Sequence, residues 1–145
     1  MVLVPQPERE DSETLLSGPQ GKLLDAMLEA MGITPDDTYV ASVLPRHTPH
    51  ADWAAIGAQG MGKVLAHHIG LAAPRSLIAF GSLILPLLGH DPTKSPDILR
   101  AFNHEDVSLP LLAGRNLEDM LRRPRWKADF WTSWLDWAGR DATRD

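Results

Sequence analysis

Short apolar runs alternate with stretches that carry apolar residues at helical spacing, and this alternation restricts the chain to few architectures. Val2-Leu3-Val4 opens the series, and residues 39–44 (Tyr-Val-Ala-Ser-Val-Leu) and 76–80 (Ser-Leu-Ile-Ala-Phe) continue it. Between them, Leu23, Leu24, Met27 and Leu28 recur at the spacing of a helix over residues 21–31, which Gly32 stops, and residues 61–69 read as a second helix closed by Gly70 and Pro74. Strands alternating with helices predict right-handed βαβ units, hence an α/β chain of three layers, α/β/α, around a central, mainly parallel sheet of four strands. Residues 98–102 and 107–111 flank Asn103-His104-Glu105-Asp106 and fit a hairpin before the last helices. In the final helix Trp126, Phe130, Trp131, Trp134, Leu135 and Ala138 form the expected core-facing stripe, with Trp137 on its edge.

A chain of 145 residues makes one domain over its whole length, able to bury roughly two-thirds of its unfolded surface. No stretch approaches the roughly eighteen apolar residues of a membrane span, and no basic segment precedes an apolar one at the N-terminus, so no membrane partner is expected and the cytoplasm is the default location. The absence of cysteine excludes disulfides, thiolate metal sites and cysteine-ligated iron–sulfur clusters. No cofactor is expected.

In a sheet of this kind ligands bind at the carboxyl ends of the strands, here the loops starting at Pro5, Pro45, Gly81 and Leu112. Gly18 and Gly21 stand where the first of these loops hands over to a helix; they permit close backbone approach and positive φ, and the helix N-terminus adds partial positive charge, so an anion such as phosphate is the candidate ligand. A tight turn before a core helix is the simpler reading of the same glycines. Arg46 and His47 on the loop after the second strand are candidate phosphate or base contacts, and Trp53 either stacks on a base or caps the core. His47, His50 and Asp52 have the donor types for a metal, but Pro49 breaks helical spacing, and no metal site is expected. His67 and His68 point to different faces of their helix, one half-buried and one solvated. Gly81-Ser82 lacks the context of a nucleophile elbow; Ser82 reads as a helix N-cap close to a phosphate-binding position.

Charge is unevenly spread. Residues 1–37 contain Glu8, Glu10, Asp11, Glu13, Asp25, Glu29, Asp36 and Asp37 against Arg9 and Lys22, whereas residues 113–127 contain Arg115, Arg122, Arg123, Arg125 and Lys127 against Glu118 and Asp119. The basic segment suits salt-sensitive contact with a phosphate backbone, or equally a solvated helix end. The net charge of −5 argues against tight non-specific binding of DNA.

The order of these segments resembles the uracil-DNA glycosylase superfamily, most closely its family-4-like branch. Pro7 fits the proline of that family's Gly-Glu-Ala-Pro-Gly loop, Glu10-Asp11 its acidic pair, and Gly18-x-x-Gly21-x-Leu23-Leu24 its helix start, while Met120-Leu121-Arg122-Arg123-Pro124-Arg125-Trp126-Lys127 is similar to its Leu-Leu-Arg-x-Pro-x-x-Lys tail. The resemblance spans residues 2–137. It implies a glycosylase-like fold and loops that activate water, read the base and wedge the DNA.

A glycosylase extrudes a base, holds its edge with an amide, stacks it on an aromatic ring, orients a water and stabilises the departing anion. The resemblance places the family's water-activating carboxylate on Pro5, beside Gln6, its stacking phenylalanine on Leu16, its base-reading asparagine on or just beyond Ser42, and its His-Pro-Ser motif on Asn116-Leu117-Glu118. None of these side chains performs the family's task, so the expectation is a glycosylase-like module without ordinary uracil excision. Such a module binds nucleic acid weakly, or a protein partner, with Arg46, Arg115, Arg122 and Arg123. A shift of one or two residues in the alignment leaves a second expectation open, a divergent nucleobase hydrolase in which Gln6, Glu8, Glu10, Asp11 or Asn116 takes part in catalysis. A third is an interaction domain with no ligand site. The family's four-cysteine cluster has no counterpart, which implies that the cluster is lost rather than supplied by a missing upstream segment.

Overall fold

The computed structural model describes residues 1–90 and 99–142. Its elements are β1 (Val2–Val4), α1 (Pro19–Ala30), β2 (Val40–Ser42), α2 (Trp53–Ala58), α3 (Met61–Ala72), β3 (Leu77–Phe80), β4 (Leu99–His104), β5 (Val107–Gly114), α4 (Leu117–Arg122) and α5 (Pro124–Ala142), with 3₁₀ turns at Pro35–Asp37 and Ser82–Leu88. The sheet has five strands, not four, in the order β2-β1-β3-β5-β4. Strands β2, β1, β3 and β5 are mutually parallel, and β4, the first arm of the expected hairpin, joins the sheet antiparallel to β5 at its edge. The hairpin joining them is tighter than the sequence suggests: His104 pairs with Val107, and Glu105 takes the left-handed conformation between them. Ile98, expected to begin its first strand, lies outside the described residues.

Alternation along the strands assigns side chains to two layers of core. Leu3, Ala41, Leu77, Ala79 and Leu111 face Leu65, Ala66 and Ile69 of α3 and Ile84, Leu85 and Leu88 of the second 3₁₀ turn. Val2, Val4, Ile78, Phe80 and Leu112 face Leu24 and Leu28 of α1, Leu117 and Met120 of α4, and Phe130 of α5. Both faces of β1 and β3 are therefore covered, which is why these strands read as continuous apolar runs. Each buried Leu, Ile or Phe in these layers contributes about 1.5–3 kcal/mol relative to exposure.

Several boundaries differ from expectation for identifiable reasons. Gly70 does not end α3, which continues to Ala72 and is closed by Ala73 at φ 48°. Helix α2 was not expected at all; Asp52 caps it by accepting the Ala55 amide at 3.1 Å, and Trp53 packs against the first core layer. Ser82 is not an N-cap: the cap position is Gly81, with no side-chain hydrogen bond, and the turn that follows contains Pro86, which lacks the amide an α-helix would use. Along α5 the packed aromatic residues are Trp126, Phe130, Trp134 and Trp137, at spacings of four, four and three, whereas Leu135 is 51% exposed. Trp131 lies against Trp134 with ring centres 5.0 Å apart.

The chain passes from β1 to β2 on one side and then returns across β1 to β3, so the strand order reverses between β1 and β3. This is the position where an open α/β sheet leaves a crevice. Here Pro5 and Gly81 meet. Gly81 adopts φ +110°, and a Cβ on it would lie 2.9 Å from Cγ of Pro5, so only glycine admits the proline ring at this point.

Candidate functional site

The carboxyl ends of β1, β2, β3 and β5 lead into the segments beginning at Pro5, Val43, Gly81 and Arg115. The last begins later than expected from Leu112, because β5 runs on to Gly114. Several of the polar groups in these segments bind within or between the segments.

The segment between β1 and α1 is organised by two carboxylates. Glu8 is buried at 9% exposure, and its carboxylate accepts the amides of Gly18 at 3.0 Å, Gln20 at 3.2 Å and Gly21 at 3.1 Å. The N-terminus of α1 thus holds an anion, as its glycines suggest, but that anion is the chain's own side chain. Gly18 is the N-cap, and Gly21 sits in the first turn beneath the Leu16 carbonyl oxygen, onto which any Cβ would fall. Neither glycine has positive φ; the left-handed residue is Leu16, at φ 55°.

Asp11 gathers the other side of this loop. It accepts the amides of Glu8 at 2.8 Å, Leu16 at 2.7 Å and Ser17 at 2.8 Å, together with the Ser17 hydroxyl at 2.6 Å. Desolvation pushes its pKa up, but the Ser17 hydroxyl and the amides of Ser17, Leu16 and Glu8 outweigh that and hold the carboxyl below its ordinary value. Glu10, between them, is exposed. Of the carboxylates expected near a reacting water, two are fixed to backbone amides.

A second set of bonds laces this loop to the one after β2. The Gln6 side-chain oxygen accepts the Thr48 amide at 2.6 Å, and Nδ1 of His47 donates to the Pro7 carbonyl at 3.0 Å. Because a carbonyl only accepts, the His47 proton in this contact is on Nδ1. The Ser42 hydroxyl donates to the Leu44 carbonyl at 2.7 Å, and Arg46 is exposed beside these residues. Gln6 and Pro7 are therefore joined to the loop that follows β2. Leu16 is instead a member of the core layer under α1. Asn116 is engaged at another point, where its side-chain oxygen caps α4 by accepting the Glu118 amide at 3.1 Å.

The basic segment divides into paired and unpaired cations. Arg122 binds Glu118 at 2.9 Å across one helical turn. Arg115 and Arg123 lie over the same indole instead, with Cζ 4.2 Å and 4.8 Å from the centre of the Trp126 ring. Trp126 is absent from the candidate site residues read from the sequence, which place it in the core stripe and the tail motif; Arg123, in extended conformation between α4 and α5, and Arg115 reach it by contacts that helical spacing does not encode. Ser82 is exposed at the end of β3.

Elsewhere, His68 is half-buried with its Nε2 2.7 Å from the Tyr39 hydroxyl, and His67 is exposed. Among the described residues no three His, Asp or Glu side chains are grouped to hold a metal ion, and no helix is long and apolar enough to cross a membrane. No protein-family model matches the sequence, and no curated protein matches it.

Proposed function

We propose that this chain is a uracil-DNA glycosylase-like domain that binds DNA at the carboxyl ends of its sheet without excising uracil, and that it does so in the cytoplasm. The observation that supports the loss of excision is the engagement of Glu8 and Asp11, two of the three carboxylates expected near a reacting water, while the third, Glu10, is exposed. Excision requires a carboxylate free to orient water and donors aimed at the departing base anion. Glu8 and Asp11 spend their acceptor positions on backbone amides and the Ser17 hydroxyl, Gln6 holds Thr48, and Asn116 caps α4. Removing one oxyanion donor from a working enzyme already costs about 2.7–4 kcal/mol of barrier. The DNA-binding half of the proposal draws on the resemblance in motif order and on the cations Arg46, Arg115 and Arg123 near the strand ends.

The test is a gel assay with single-stranded and duplex oligonucleotides carrying one uracil, scored for abasic-site cleavage and for mobility shift at rising salt. A shift that weakens with salt, without cleavage, is the expected result. Cleavage overturns the loss of excision, and the absence of any shift overturns DNA binding.

A further inference from the structure

Two guanidinium groups share one indole just beyond the end of β5. Arg115 comes from the segment that leaves the strand, and Arg123 precedes Pro124, the first residue of α5. Trp126 joins them from the first turn of that helix and is packed at its inner side against the second core layer. Each guanidinium gains from the π face, at 4.2 Å and 4.8 Å. The two like charges nevertheless repel, and among the described residues neither meets a carboxylate within ion-pair distance; the ion pairs there are those of His104, Arg122 and Arg140.

We infer that Arg115 and Arg123, aligned over Trp126, form a seat for one phosphodiester group of a nucleic acid strand. A phosphate that accepts from the exposed N–H edges of both groups offsets their repulsion, and planar guanidinium forks match its oxygens in pairs. The indole anchors the two guanidinium groups and is not a stacking platform for a base, because they already lie over it. Held side chains lose less rotamer freedom on binding than free arginines do. The inference rests on the DNA-binding reading above and adds the residues and the chemical group by which the strand is held.

The experiment uses the whole chain and a fluorescein-labelled oligothymidylate, with anisotropy measured across a range of potassium chloride. R115Q/R123Q is expected to weaken binding by about tenfold and to flatten the slope of log K against log salt by about 0.7, the value for one phosphate on a single strand. R115K/R123K, which keeps charge but not the planar fork, is expected to fall between the two. R75Q, a change at an exposed arginine at the opposite end of the sheet, is expected to leave binding within about twofold. Thermal unfolding of each variant checks that the fold is kept. A second readout follows the indole N–H signal of Trp126 by NMR, assigned with W126F, during titration with inorganic phosphate. If the wild-type chain binds the oligonucleotide and R115Q/R123Q binds it equally with the same slope, the seat is wrong while the DNA-binding reading stands. If the oligonucleotide does not bind but phosphate moves the indole signal in the wild type alone, the seat takes a free phosphate and both the strand and the DNA-binding reading are overturned. Capture of an acidic phosphopeptide in preference to the oligonucleotide overturns the nucleic acid as occupant.

Discussion

Oε1 of Glu8 lies 3.1 Å from the amide nitrogen of Gly21, so a side chain from the preceding loop occupies the place at the start of α1 that suits an external anion. The same carboxylate reaches Gly18 and Gln20. Its removal leaves three amides without their acceptor. Glu8→Ala is expected to lower stability by about 2–4 kcal/mol, given the cost of unmet buried donors and of lost charge-assisted bonds. Urea unfolding measures this. Added acetate or phosphate is expected to restore part of the loss in Glu8→Ala and to have no such effect on the wild type. Equal response of both chains would show that the carboxylate does not stand in for an anion.

Asp11 gives the structure an acid limb. Its folded pKa lies below the ordinary value, so its contribution is fully present above the ordinary carboxylate range and is lost as pH falls through the depressed value. Asp11→Asn is therefore expected to be less stable than the wild type at neutral pH, with the difference narrowing in acid. Urea midpoints for both chains at neutral pH and at pH below the carboxylate range provide the comparison, and a gap that stays constant contradicts the assignment.

Two glycines in helices are expected to respond in opposite directions. Gly21→Ala places a methyl group on the Leu16 carbonyl oxygen and is expected to cost about 3 kcal/mol or more, since backbone must move to relieve it. Gly70 lies inside α3 with open space around its Cα, so Gly70→Ala is expected to gain about 0.5–1 kcal/mol. Thermal unfolding of the two variants reads both signs.

On α5, Phe130 is buried with its ring 5.1 Å from that of Phe80, while Leu135 is exposed. Phe130→Ala is expected to cost about 3–5 kcal/mol, and Leu135→Lys to stay within about 0.5 kcal/mol. A large loss in Leu135→Lys would mean that the helix is turned as its sequence periodicity suggests.

The α/β class and the parallel strands were legible because β1 and β3 are buried on both faces and write that burial as unbroken apolar runs. The edge strand β4 was only half legible: residues such as Asn103 and His104 are polar and exposed, so pairing rather than burial extends it. Helix α2 was missed because its six residues lie within a stretch rich in proline, histidine and glycine, and its one local signal is the Asp52 cap. The stripe on α5 was misread by one column, since Leu135 and Trp137 are both apolar and only the neighbouring layer decides between them. In the candidate site, the sequence marks Glu8, Asp11, Gly18 and Gly21 as an anion and a place for an anion. It does not say that the first fills the second, because that depends on the chain folding back across residues 8–21. Trp126 under Arg115 is a tertiary contact and leaves no trace in local spacing.

Gln6 and Thr48, with Pro7 and His47, join the first two loops a few residues beyond the strand ends, and the pairing of β1 with β2 joins them at their roots. The backbone of residues 4–7 and 42–48 is enclosed by these contacts. A ligand that inserts between them at this point displaces both contacts. Over residues 5–7 and 43–48 the two loops are therefore coupled, so that a displacement of one there carries the other with it.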